Sequence, residues 1–309
     1  MKPSVSIICW RIGSTYSEVC VAVPKKTDGR DASLLATEAY CLTRHLEMPV
    51  PKTTVNWTRS QTLAALYVYL QLPFGQLHRN QPKIKELAGW IGRTANSVAL
   101  KLVNLASLDP QIIASGRRGM GNASSLDRVI WEQLQANWDP IALEAFAEYQ
   151  KLTEANGALP EEDGIEEPAE FAEGRSRVAS VNVRVNQSLF RKAVLASYNA
   201  TCCVSGLRHE KLVIASHIVP WREDTKNRLN PQNGLCLSAL HDRAYDQGLI
   251  TVMPDFRIRV SPELKASPDD NYIGPGLLQF DGKPIRFPER FRPDPHFLEW
   301  HARRFGFIR

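Results

Sequence analysis

Three runs decide how the second half of this chain is read: Ser216-His217-Ile218-Val219-Pro220-Trp221, Asn233-Gly234-Leu235-Cys236-Leu237-Ser238 and His241-Asp242-Arg243. A neutral histidine on a short strand can take a proton from water, and a second one opening a helix can offer a ring nitrogen to a divalent cation. An asparagine between them can bond backbone groups on both sides of the loop. Taken singly, each is as compatible with core packing or an ordinary Asn-Gly turn. Their order, with proline and tryptophan after the first and an apolar run before the third, points to a base, a clamp and a ligand.

Outward from these runs lie an amphipathic stretch (Gln187, Phe190, Arg191, Val194, Leu195, Tyr198) and a Cys203-Val204-Ser205-Gly206 turn. Together, from Val181 to Val252, the pattern resembles the HNH nuclease family, whose fold is two antiparallel strands and a helix around one metal ion. The resemblance implies His217 as the general base, Asn233 as the residue holding the loop and His241 as a metal ligand, with one Mg2+ or Mn2+ as cofactor. Many family members carry an acid or histidine just before the base, where it binds metal. Here that position is Ser216, and a serine hydroxyl is a poor ligand for a hard cation. Asp246 is expected to complete the shell with His241; Asp242 and, more weakly, His209 are the other candidates. Arg222, Arg243 and Lys226 are candidates for phosphate contacts.

At 309 residues the chain has room for two ordinary domains, and its formal charge of +5 permits a polyanionic partner without requiring one. Seven acidic residues lie between Glu161 and Glu173, so the flanks are more basic than the sum. The six cysteines show no CxxC pairing, which argues against a zinc ribbon or a disulfide scaffold. No apolar run approaches the ~20 residues that span a bilayer, and no signal peptide opens the chain. A soluble, cytoplasmic protein with no membrane partner is expected.

The expected fold class is α+β in four parts. Residues 1–54 read as a disordered leader or an artefact of an upstream start, with a short helix over 32–46. Residues 55–150 read as helical and as the candidate DNA-binding domain. Leu63, Leu66, Tyr67 and Leu70 recur at helical spacing after a start signal at Thr58 or Ser60. Ala88, Gly92 and Val98 have the spacing of a helix-turn-helix, with Thr94 capping a second helix that ends near Leu105 and turns Asn96, Ser97 and Lys101 outward toward DNA. A plain helical bundle fits the same spacing. Arg117 and Arg118, in a glycine-rich loop, are further phosphate contacts. Residues 151–180 form an acidic linker, a solvated tether. Residues 181–309 are the nuclease domain, with a strand pair over 248–253 and 257–260 and a last helix opened by Asp294-Pro295.

This architecture points to a metal-dependent endonuclease acting on double-stranded DNA, of restriction or defence type, with a homodimer as an option. A catalytically weak DNA-binding adapter on the same scaffold and a toxin or homing-type nuclease are the alternatives.

Overall fold

Helix α1 (Arg59–Gln71) starts where the Thr58 side chain accepts from the Gln61 amide, and every residue from Thr62 to Leu70 is buried. A helix buried all round is the axis of a bundle rather than its surface. The computed structural model describes residues 56–116, 121–158, 177–266 and 271–309. The expected leader, Arg117, Arg118 and the acidic run over 161–173 lie outside the described residues.

Helices α2 (Pro82–Trp90) and α3 (Ala95–Ala106) pack on α1 and on each other through Ile84, Leu87, Val98, Leu102 and Leu105. Gly92 turns the chain between them at φ +65°, which a side chain would strain, and Thr94 caps α3 by accepting from the Ser97 amide. Helix α4 (Pro110–Ala114) is a single turn. Helix α5 (Ser125–Ala136) opens with a reciprocal Ser124–Asp127 cap, and α6 (Trp138–Ala155) runs back along α1. The described ends of the expected linker are therefore helical, because α6 continues to Ala155 and α7 (Arg177–Ser197) begins at Arg177.

Lys101 does not face outward as expected. It is 4% exposed, its Nζ lies 2.5 Å from Asp127 Oδ1, and it sits over the Trp57 ring. Position 101 is one helical turn on from Val98 and beside Leu102, so its stem joins the apolar stripe of α3 and its charge is met by a buried carboxylate. Asn96 is exposed.

After α7 come β1 (Val213–His217) and β2 (Gly234–Ser238), paired antiparallel with His217 opposite Gly234, and then α8 (Ala239–Asp246). A second antiparallel pair, β3 (Ile250–Val252) and β4 (Ile258–Val260), packs beyond it. Short helices α9 (Pro262–Lys265) and α10 (Ile273–Gly276) lead to α11 (Pro295–Arg304), capped by Asp294 with proline in its first turn. His301 is a packing residue: it bonds Thr251 and stacks on Tyr245 at 3.7 Å.

Among the described residues, those from 56 to 309 fold as one compact unit. Phe291, from the segment before α11, belongs to the core of the helical bundle, while Ala142 of α6 belongs to the core around β1 and β2. The Asp139 carboxylate accepts from the Leu229 amide at 2.9 Å, tying α6 to the loop after β1. No described helix is long and apolar enough to cross a membrane.

Candidate active site

His217 ends β1 because the strand breaks at Pro220, which has no amide hydrogen to offer a ladder. Its ring lies flat on Phe190 of α7, with centroids 3.6 Å apart and planes at 10°, and meets the edge of Trp221. Nε2 stands 3.0 Å from the Arg228 carbonyl oxygen. A carbonyl only accepts, so in the neutral ring Nε2 carries the proton and Nδ1 keeps the lone pair. Burial lowers the His217 pKa to about 4, against the raising effect of that carbonyl. The ring is therefore neutral and oriented, with Nδ1 bonded to no described residue.

Asn233 is buried at the start of β2. Its Oδ1 accepts from the Val219 amide at 2.8 Å, and its Nδ2 donates to the carbonyls of Val219 at 3.1 Å and Asn227 at 3.2 Å. Three bonds from one amide close both ends of the loop that carries Arg228, and so hold the carbonyl that orients His217. The Gly234 that follows has no room for a side chain: a Cβ there would lie 2.5 Å from Val194 and 2.8 Å from Phe190, the ring under His217.

Two antiparallel strands, a buried asparagine and a helix thus surround one oriented histidine. Residues 202–253 match the family described as HNH endonuclease. This segment is an HNH domain. A search of curated proteins gave no match.

Within the HNH domain the expected metal pair is not brought to one point. His241 and Asp246 are five residues apart on α8, and at roughly 100° per residue they diverge by about 140°. His241 is 3% exposed; its Nδ1 lies 2.6 Å from Ser238 Oγ and 3.8 Å from Cys202 Sγ, and its ring meets Phe280 edge-on. Its buried Nε2 has no hydrogen-bond partner among the described residues. No group of three or more His, Cys, Asp or Glu side chains among the described residues could hold a metal.

Asp242 and Asp246 are one turn apart on α8 and face the same way. The Ser216 hydroxyl lies close enough to the Asp242 carboxylate to lower its pKa, so the serine that replaces the usual ligand sits beside this pair. Burial raises Asp242, opposed by Ser216 and Arg243. Burial around its carboxyl, and then the Asp242 charge, push Asp246 up to about 6, although the residue as a whole reaches the surface. Two hard oxygen donors whose shared negative charge is incompletely offset suit Mg2+ or Mn2+ in kind, though two are fewer than such an ion's full shell.

Arg222, Lys226 and Arg243 are exposed, as phosphate contacts must be, and His209 is exposed as well. Sequence reasoning missed the Arg228 carbonyl, a backbone group carrying no residue signal, and Cys202, whose thiol is buried against His241. Burial raises that thiol, but hydrogen bonds from His241 and Ser205 bring it down to about 6. The i, i+4 spacing of Asp242 and Asp246 was legible from the start.

Proposed function

We propose that this protein is a metal-dependent endonuclease of restriction or defence type that hydrolyses phosphodiester bonds in double-stranded DNA. The observation that carries the reading is the His217 ring, fixed by the Arg228 carbonyl with an unengaged Nδ1 and kept neutral by burial. In this reading Nδ1 takes the proton from the attacking water, the step a positioned general base accelerates by about 10²–10⁴-fold. Asn233 holds the loop so that the ring does not rotate away from the attack line. Asp242 and Asp246 would hold the divalent ion, with Ser216 beside Asp242. Such an ion, when bound, supplies charge stabilisation at the phosphate and the departing oxygen. His241 would brace the start of α8 through Ser238.

Arg222 and Arg243, exposed on the HNH domain, and Asn96, exposed on α3, are the proposed DNA contacts; Arg117 and Arg118 join them on sequence grounds. The reading does not depend on a homodimer. Ser216 favours one other reading, a DNA-binding adapter that cleaves weakly, because the position offers a hydroxyl where a stronger ligand is usual. Incubating supercoiled plasmid with the full chain and Mg2+ or Mn2+, with and without excess chelator, separates them. Nicking that needs the ion and disappears in His217→Ala supports the nuclease; binding without nicking supports the adapter.

A further inference from the structure

We propose that the pocket lined by Tyr198, Asn199, Thr201, Arg208, Arg286 and Phe287 receives one unstacked nucleotide of a DNA strand, its phosphate between the two arginines and its base against Phe287. The pocket measures about 380 Å³, within the roughly 300–1,000 Å³ of small-molecule sites. Arg208 and Arg286 are both exposed, and neither has a carboxylate partner among the described residues. Two unpaired guanidinium groups on one cavity suit a phosphate, which they can grip through several N–H groups at once.

An aromatic wall beside them makes a bare anion an incomplete ligand. Phe287 is 45% exposed, yet its plane is set: the Arg292 guanidinium lies 4.0 Å over the ring, and Phe256 meets it at 5.1 Å and 74°. A fixed, exposed aromatic face next to cations is the pairing by which proteins hold single bases of any sequence. Asn199 adds an amide that can bond a base edge.

The walls are built by backbone rather than left to chance. Arg286 donates its amide to the Cys203 carbonyl at 2.8 Å, and Thr201 and Arg208 face each other in an isolated bridge. Asn199 and Ala200 hold φ of 50° and 49°, a strained region for Ala that persists where the surroundings impose it. Gly206, at φ +79°, lies under Arg286, and a Cβ there would come 2.8 Å from its Nε. The same backbone reaches the site already described, since the Cys203 amide bonds Cys236, two residues along β2 from the partner of His217. A strand engaged at His217 and a nucleotide held in this pocket would therefore belong to one substrate, and in that respect the proposal rests on the nuclease reading.

The test uses the full chain in excess chelator, titrated into a single-stranded oligodeoxynucleotide carrying one 2-aminopurine, whose fluorescence rises on unstacking. A strand of equal length with an abasic site in its place is the comparison. We expect a saturable rise, and binding about tenfold tighter than to the abasic strand. Phe287→Ala should remove that tenfold difference, and Arg208→Ala should weaken both strands alike. Both should melt within a few degrees of the parent, because they truncate exposed side chains. Equal binding of the two strands, or a Phe287→Ala protein that still discriminates them, overturns the proposal. So does inorganic phosphate that abolishes the fluorescence rise at the concentration where it displaces the abasic strand, which would mark a phosphate site with no place for a base. Failure here with plasmid nicking intact removes the pocket and leaves the nuclease; saturable 2-aminopurine binding without nicking does the reverse.

Discussion

The Arg290 guanidinium donates to the carbonyls of Leu72 at 2.7 Å and Leu70 at 3.2 Å, residues that precede it by more than two hundred positions. Leu70 lies in the last turn of α1 and Leu72 is its C-cap, so a cation from the segment before α11 closes the carbonyl end of the bundle's central helix. Arg290 is itself 0% exposed and lies over the Tyr69 ring at 4.4 Å.

Arg290→Met should therefore destabilise the whole chain, because two buried carbonyls lose their donor at about 1–3 kcal/mol each. Urea unfolding should show one transition shifted by roughly 2–6 kcal/mol for residues on both sides of this contact. Two separate transitions, or a shift under about 1 kcal/mol, would contradict the shared core.

His217→Ala should lower plasmid cleavage by about 10²–10⁴-fold while leaving the circular dichroism spectrum and DNA affinity unchanged. Cleavage within a few-fold of the parent removes His217 as the base.

The two readings of the metal site separate cleanly. If Asp242 and Asp246 hold the ion, Asp242→Asn and Asp246→Asn should each raise the Mn2+ concentration for half-maximal cleavage by tenfold or more, while His241→Ala lowers the unfolding midpoint and leaves that concentration nearly unchanged. A His241→Ala protein of parental stability whose metal response is lost would return the ligand role to the histidine.

Acid should weaken the fold through His301. Burial lowers its pKa to about 3, so it stays neutral in the folded chain while the unfolded chain protonates below about 6.5. A depressed folded pKa gives stability that is complete above 6.5 and declines as pH falls toward 3, with a slope near 1.4 kcal/mol per pH unit. His301→Phe, which keeps the stack on Tyr245, should lose about 2 kcal/mol less than the parent between pH 7 and pH 5. Identical losses for the two proteins would show that His301 does not carry this dependence.

Much of the fold was written in local chemistry. Thr58, Thr94 and Asp294 cap the helices their sequences announce, because a side-chain oxygen next to a free amide acts over three residues and needs nothing distant. The same locality made the β1–β2–α8 order readable from His217, Asn233 and the apolar run between them. Tertiary structure decided the rest. It turned Lys101 inward, because Asp127, twenty-six residues later, supplies the charge that makes its burial tolerable. It set Phe291 and Arg290 against Tyr69, Leu70 and Leu72 at the end of α1, and no short-range pattern records such a contact. At the site it gave His217 its tautomer through a backbone carbonyl, and it set Asp242 beside Ser216 across the β1–α8 contact. Residue types proposed the donors; only the direction in which each leaves its helix or strand decided which of them meet.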